Sequence, residues 1–326
     1  MTAAAITAPR TWRPGKLVMR QAYAAVAAIL LIALLAVNIS IDPTAFNASN
    51  VLDTLGVAAP TILAAVAVTP AILVGGGGID LSVGPLMSLI GAVVVIDVIQ
   101  DMGASSPWVV IPVALGCGVL SGLLNGFLVA VVRLQPIVAT LGTYLAYIGI
   151  TLALNPEPGG TVPQWLSSMS GVGSLALVGG VLVLWGLFTQ TPAYRQLMAV
   201  GGDDRAAFAA GTPVTQVRIL AYAVTGLLVG FASLSLTALL GSADPNAGTQ
   251  FTLLAIASVA LGGVSLAGGR GGMFGAVLGS LNIFLIQNVL TFYNKSAFTE
   301  QLVYGLVLVL AVVGNSFTTK WSTRTA

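Results

Sequence analysis

The chain is built from a succession of apolar segments, most of them about as long as a membrane is thick, with short polar breaks between them. A helix needs about 20 apolar residues to cross a bilayer core of roughly 30 Å. Ten segments approach this length: Ala22–Ile39, Val51–Val74, Val83–Ile99, Trp108–Val132, Pro136–Leu154, Gly173–Phe188, Val217–Leu240, Phe251–Ala267, Met273–Leu290 and Glu300–Phe317. The sequence therefore predicts an all-α membrane protein, a polytopic bundle of about ten transmembrane helices with broken or re-entrant segments.

The scarcity of charge supports the same interpretation. The chain has 12 basic and 10 acidic residues, or 7% of its length, whereas soluble proteins carry about 25%. Histidine is absent and Cys117 is the single cysteine. The usual metal ligand and proton shuttle are therefore missing, and no metal site or disulfide within the chain is expected.

The basic residues give a topology. Threading ten spans from a cytoplasmic N-terminus leaves Lys295 outside and places the other eleven basic residues inside, which agrees with the positive-inside rule. These are Arg10, Arg13, Lys16, Arg20, Arg133, Arg195, Arg205, Arg218, Arg270, Lys320 and Arg324. We therefore expect a cytoplasmic N-terminal arm at 1–21, a transmembrane domain at 22–318 and a cytoplasmic tail at 319–326.

The second and third segments are the candidates for an interrupted span. The second contains Pro60 and Pro70, and the third is short. Between them lies the run Gly75–Gly78, and each glycine costs a helix interior about 1 kcal/mol relative to alanine. We expect the chain to leave the helical path here, which at membrane depth requires backbone that is buried in protein or lines a cavity.

Asp80 follows this glycine run, and a carboxylate at membrane depth is by default a candidate for a functional site. The alternative role is to cap the next helix by accepting backbone N–H groups; both hold if a broken helix lines a pathway. No lysine follows the run, so it is not a P-loop and the chain is not expected to bind ATP. Gly262–Gly272 resembles the run in outline, which suggests an internal repeat or a loop that lets helices pack tightly.

Polar residues also occur inside the fourth and fifth segments. Asn125 lies in an apolar helix, where such a side chain usually hydrogen-bonds to another helix. Thr140 and Thr143 lie three residues apart and so share one helical face. Their hydroxyl groups are expected either to bond to their own helix or to face a wet path.

The inner stretch 190–216 contains a short helix signal. Asp203 is a suitable cap, 205–210 has high helix propensity, Gly211 can end the helix, and Pro213 prevents its continuation. About two turns of helix are not stable alone in water. The helix must therefore dock, either on this protein's own inner surface or in a groove on a cytoplasmic partner.

Taken together, these segments resemble the permease subunits of ribose-type sugar importers of the ATP-binding-cassette class, within the branched-chain amino acid and sugar permease superfamily. The family pattern G-G-I-D-L-S-V-G is matched by Gly77–Gly84, N-G by Asn125-Gly126, P-x-[IV]-x-T-L-G-T by Pro136–Thr143, and the later glycine-rich pattern by Ala255–Gly271. The inner coupling motif is met by Ala206, Ala207 and Gly211, with Arg205 where Glu is usual. The resemblance runs from about 51 to 315. The chain departs from the family at Thr252, Leu254 and Val289, which bears on the substrate more than on the fold.

The resemblance implies a permease for a small sugar, a pentose, hexose or related polyol, in the bacterial plasma (inner) membrane. It implies two ATPase subunits in the cytoplasm, a second permease subunit and an extracytoplasmic sugar-binding protein, with no cofactor, no nucleic acid and no enzymatic activity in this chain. The implied pathway residues are Asp80, Ser82, Asn125, Thr140, Thr143 and Asn288, and the implied ATPase-coupling residues are Asp204, Arg205, Ala206, Ala207 and Gly211.

A secondary transporter or facilitator of small polar solutes is the alternative function. Proton-coupled carriers need titratable groups along their path, and only Asp80 qualifies here, which argues against proton coupling but not against sodium coupling. A membrane-embedded enzyme would need a nucleophile with its base or a metal cluster. One cysteine without any histidine supplies neither.

Overall fold

The fold is all-helical over the residues that the computed structural model describes, which are 15–324 for the backbone and 25–313 for the side chains. A π-helical segment, Val93–Asp101, directly continues the α-helix Val83–Ala92. The α-helices are α1 (Gly15–Ile41), α2 (Val51–Val57), α3 (Ala59–Leu73), α4 (Val83–Ala92), α5 (Pro107–Ala130), α6 (Pro136–Leu154), α7 (Gln164–Ser167), α8 (Val172–Thr189), α9 (Pro192–Gly202), α10 (Asp204–Ala209), α11 (Val214–Leu240), α12 (Thr249–Leu261), α13 (Met273–Phe292) and α14 (Ala297–Arg324).

Each of the ten apolar segments falls on a helix, but the number of spans is not confirmed. Within the described residues six helices are long and apolar enough to cross a membrane, and the bent pair α2–α3 makes up to seven. Three further apolar helices are shorter there: Ala25–Ile41, Thr249–Leu261 and Ala297–Val313. The predicted arm at 1–21 and tail at 319–326 lie outside the residues whose side chains are described.

The expected interruption of the second segment is confirmed. The axes of α2 and α3 meet at 45°. Pro60 lies in the first turn of α3, where backbone N–H groups have no partner within the helix, so its missing N–H costs no hydrogen bond. The third segment is not interrupted, because α4 continues directly into the π-helical segment. A π-helical run of this length is unusual in proteins.

The centre of the bundle is α3, in which every residue is buried. It packs against α11, α12 and α13. The neighbouring contact of α5 with α11 is made by glycines: a methyl group added at Gly118 would overlap the carbonyl oxygen of Gly226, and one added at Gly122 would overlap that of Tyr222. Small residues of this kind bring membrane helices into backbone contact.

One end of the bundle, here named the basic end, carries several arginines. Arg133 and Arg218 line one cavity together with Gly75, and Gly75 contacts the loop that leads to Arg270. Gly75, Gly76 and Gly77 have φ angles of 77°, 64° and 76°, a conformation that is inexpensive only for glycine. The predicted break after α3 is therefore a left-handed turn at the basic end.

The stretch 190–216 also lies at this end and holds two helices rather than one. The helix α9 was not foreseen, although Thr191 caps it through a hydrogen bond from the Tyr194 N–H and Pro192 occupies its first position. The eighth apolar segment, predicted to extend to Ala267, is shorter as a helix because α12 ends at Leu261. The glycine-rich loop that follows closes against α9, as described below.

A candidate transport site at a broken helix

Asp80 lies in the turn between α3 and α4 and is 3% exposed. Its Oδ1 atom accepts hydrogen bonds from the Ser82 backbone N–H at 2.9 Å and from the Ser82 hydroxyl at 2.6 Å. Because α4 begins at Val83, the carboxylate stabilises the turn that leads into the helix rather than the helix's own first N–H groups. The predicted capping of the helix by Asp80 is therefore not observed: α4 begins two residues later than expected, and its N-cap residue, Ser82, makes no side-chain capping bond.

Asn125 of α5 connects this turn to two other helices. Its amide nitrogen donates to the Ser82 hydroxyl at 2.9 Å and to Asp80 Oδ2 at 3.4 Å. Its Oδ1 atom accepts from the Thr143 hydroxyl of α6 at 2.9 Å. The side chain is 1% exposed and these three hydrogen bonds all connect it to other elements, as expected for an asparagine within an apolar helix.

Thr140, one helical turn before Thr143, also connects α6 to the turn that carries Asp80. Its hydroxyl lies 3.2 Å from the Ile79 carbonyl oxygen and 2.9 Å from that of Pro136 in its own helix. Thr143 likewise lies near carbonyl oxygens of α6 while it donates to Asn125. The two threonines therefore bond both to their own helix and across to a neighbour.

Five of the six predicted pathway residues thus form one cluster, here named the Asp80 network: Asp80, Ser82, Asn125, Thr140 and Thr143. All five are at least nine-tenths buried in the single chain. Among the described side chains no cation pairs with Asp80, since the one ion pair joins Arg218 and Asp204. Within the described residues the carboxylate is stabilised by hydrogen bonds, and the network joins the turn between α3 and α4 to α5 and α6.

Asn288 lies outside the Asp80 network. Its amide nitrogen donates to Asn38 Oδ1 of α1 at 2.9 Å, and Asn38 in turn donates to the Leu285 carbonyl oxygen of α13 at 3.2 Å. These two asparagines fasten α13 to α1. The structure therefore separates Asn288 from the five residues with which it was grouped.

Thr252, noted above only as a departure from the family pattern, has a clear structural role. Its hydroxyl accepts the Gly84 N–H at 3.1 Å and donates to the Leu81 carbonyl oxygen at 3.0 Å. It therefore holds the start of α4 from the side of α12, opposite the Asp80 network. A threonine near the start of an apolar segment was the available sequence signal for this contact.

The short helix of the inner stretch has the predicted construction. Asp203 Oδ1 accepts the N–H groups of Arg205 and Ala206, each at 3.0 Å, and the helix ends before Gly211, whose φ angle is 84°. Ala207 faces inward at 6% exposed, whereas Phe208 is 73% exposed. The Asp204 carboxylate accepts from Arg218 of α11 at 2.8 Å. The structure thus presents α10 as a docked helix with a largely exposed aromatic side chain.

A cavity of about 410 Å³ lies between α10 and the turn after α3. Its wall includes Gly75 and Gly76, the side chains of Arg133 and Arg218, and Phe208. Arg133 has a φ angle of 64°, in a left-handed conformation that costs a residue with a side chain about 1–2 kcal/mol. The cavity links the short helix to the turn that carries Asp80. Within the described residues no cluster of acidic, cysteine or histidine side chains could hold a metal ion.

Comparison with known proteins decides the family. Residues 50–312 match the family described as branched-chain amino acid transport system / permease component. The chain belongs to this permease family. The permease is therefore a multi-pass membrane component of a transport system and not an enzyme, and the resemblance drawn from Gly77–Gly84 and Ala255–Gly271 is confirmed.

Curated relatives of the permease cover most of its length. It is 32% identical to the ribose import permease protein of Haemophilus influenzae over 89% of this chain and 92% of that one. It is 36% identical to the ribose import permease protein of Bacillus subtilis over 84% and 86%. An autoinducer 2 import system permease protein of an Enterobacter species is 33% identical over 87% and 84%. No solved structure matches the chain.

Proposed function

We propose that this chain is the membrane-spanning permease subunit of an ATP-binding-cassette importer for a small sugar, a pentose, hexose or related polyol. The observation that carries the proposal is the similarity to two ribose import permease proteins, 32% identical over 89% of this chain and 36% identical over 84% of it. The construction of α10 supports it, because a docked helix with an exposed aromatic suits a partner that supplies the ATPase activity. The relative named for autoinducer 2 import leaves the substrate class wider than ribose.

The proposed topology places the basic end in the cytoplasm of a bacterium, with the protein in the plasma (inner) membrane and both termini inside. The positive-inside rule favours this orientation. The three shorter apolar helices, at the positions of α1, α12 and α14, would complete ten spans with the seven longer ones. An odd number of spans would place the two termini on opposite sides.

The proposed pathway runs beside the Asp80 network, at an interface with a second permease subunit, identical or homologous. In the conformation described here the network is closed by its own hydrogen bonds. Separation of α5 and α6 from the turn between α3 and α4 would expose the carboxylate, the amide and three hydroxyl groups, which are groups that bind sugar hydroxyls. Asn288 would contact the substrate at a separate position along α13.

The proposed contact with two cytoplasmic ATPase subunits is α10, through Asp204, Arg205, Ala206, Ala207 and Gly211. Ala207 and Gly211 shape the helix and its end, while Asp204 holds it to α11. Arg205 replaces the glutamate usual in the family and is exposed, so a complementary acidic group on the ATPase would suit it. An extracytoplasmic sugar-binding protein would deliver the substrate at the opposite end.

Purification of the permease from its native host in mild detergent tests this assembly. We expect an ATPase polypeptide to be recovered with the permease in a one-to-one molar ratio, measured by quantitative mass spectrometry. A matched purification of an unrelated multi-pass protein from the same membranes is the control. If the permease is recovered without an ATPase and moves sugar in liposomes without ATP, the alternative of a secondary transporter replaces the proposal.

A further inference from the structure

Three glycine pairs meet at the basic end, and they belong to three different parts of the chain. They are Gly75-Gly76 after α3, Gly201-Gly202 at the end of α9, and Gly268-Gly269 in the loop between α12 and α13. We name this contact the glycine junction. The Gly269 N–H donates to the carbonyl oxygen of Leu73, the last residue of α3, at 3.0 Å. It thereby supplies a hydrogen bond to one of the carbonyl groups that have no partner within the helix at its C-terminal end.

Gly201 lies directly over this hydrogen bond. A methyl group placed on its Cα atom would overlap the Leu73 carbonyl oxygen and lie 2.7 Å from the Gly269 nitrogen. The hydrogen that occupies this direction in glycine points at the carbonyl oxygen, which is the geometry of a weak Cα–H···O contact. The end of α9 is therefore seated on the end of α3 without any intervening side chain.

The other two pairs close the junction in the same way. Gly268 has a φ angle of 96°, and a methyl group there would overlap the Cα atom of Gly75. A methyl group on Gly75 would lie 3.0 Å from the Cα atom of Gly201. The three segments are thus in mutual backbone contact. Backbone cannot yield by changing a side-chain rotamer, so a displacement of one segment must move the others or break the contact.

The junction lies between the short helix and the Asp80 network. Gly202 is followed at once by Asp203, the cap of α10, and Gly75 begins the turn that leads to Asp80 five residues later. A second connection from α10 runs through the Asp204–Arg218 ion pair, but its two side chains are 48% and 24% exposed. Exposed ion pairs contribute at most about 1 kcal/mol, so the stiffer connection is the backbone contact.

Resting on the proposed function, we infer that Gly201 is a positioning residue for transport: through the glycine junction, movement of α10 by the ATPase is passed to the turn between α3 and α4 that carries Asp80. Gly201 touches neither substrate nor nucleotide. Its role is to let α9 sit against α3 so closely that the two move together.

The chain offers a matched pair for the test. A methyl group at Gly201 meets backbone, whereas one at the adjacent Gly202 meets no atom within 4 Å. In liposomes containing the permease, its ATPase and the sugar-binding protein, we expect Gly201→Ala to keep the ATPase bound and at least half of the ATP hydrolysis. The sugar moved per ATP should fall at least ten-fold, while Gly202→Ala stays within two-fold of the wild type.

A coupling ratio for Gly201→Ala within two-fold of the wild type overturns the inference. If Gly201→Ala does not assemble, hydrogen exchange of the wild-type complex with and without a non-hydrolysable ATP analogue decides. Protection of peptides covering 199–210 and 73–80 should then change together, and a change confined to 199–210 overturns the inference. A wild-type complex that holds no ATPase, or that transports without ATP, instead contradicts the proposed function itself.

Discussion

Replacing Phe208 by aspartate is expected to separate the permease from its ATPase. The side chain is 73% exposed on the six-residue helix α10. The Asp203 cap and the buried Ala207 stabilise this helix within the permease, whereas Phe208 is available to a partner. An exposed aromatic on such a helix is suited to be the buried anchor of an interface, and loss of an anchor of this kind costs about 2 kcal/mol or more. We expect the ATPase recovered per permease to fall at least ten-fold.

Phe298 provides the control for this experiment. It is 84% exposed in the first turn of α14, at the opposite end of the bundle. Phe298→Asp changes the same side chain in the same way and should leave the recovered ATPase unchanged. Equal recovery for Phe208→Asp and the wild type would contradict the assignment of α10 as the docking helix, and the cavity-lining position of Phe208 would then be its only role.

Exchanging the acid and the amide between Asp80 and Asn125 is expected to reveal the Asp80 network as a coupled unit. Asp80→Asn alone leaves one amide N–H group facing another N–H donor, whichever way the new amide is turned. Asn125→Asp alone places two carboxylates together in a buried site. An unmatched buried polar group costs about 1–3 kcal/mol, so each single variant should unfold more readily and transport at least ten-fold more slowly.

The double variant Asp80→Asn/Asn125→Asp restores the match of donor and acceptor between residues 80 and 125 with its direction reversed, although the Ser82 hydroxyl no longer accepts an amide N–H. The new amide can accept the Ser82 N–H and donate to the new carboxylate, which still accepts from Thr143. We expect it to recover at least about 1 kcal/mol of the summed loss in unfolding free energy, a coupling that a double-mutant cycle measures directly. If the losses in unfolding free energy of the two single variants simply add in the double variant, the two side chains do not act together. That result would remove the Asp80 network from the proposed pathway.

The apolar segments could be located from the sequence because membrane helices are marked by length and hydropathy. The α6 bounds, Pro136–Leu154, were predicted to the residue because a proline begins the helix and a polar Asn155 ends it. The α12 helix was overestimated, since the apolar Val264 and Leu266 lie beyond a glycine turn that hydropathy does not detect. The helix α9 was missed because its sequence is more polar than the apolar segments and was therefore assigned to a cytoplasmic loop.

The candidate site was predicted in its members but not in its arrangement. Asp80, Asn125 and Thr143 were each singled out as polar residues in apolar surroundings, yet their meeting depends on how three helices pack, which spacing along the chain does not encode. Asn288 had the same kind of signal and belongs to a different helix pair. Two of the three parts of the glycine junction were visible as the glycine-rich stretches Gly75–Gly78 and Gly262–Gly272, and only their contact in space with the Gly201-Gly202 pair gives them a common role.

Sugar uptake into liposomes tests the central claim most directly. The permease is reconstituted with its ATPase, with ATP trapped inside and the sugar-binding protein and radiolabelled ribose outside. We expect ribose to accumulate above its outside concentration with ATP and not with a non-hydrolysable analogue, and permease reconstituted alone should give no uptake. Uptake by the permease alone, equal with and without ATP, would contradict the account.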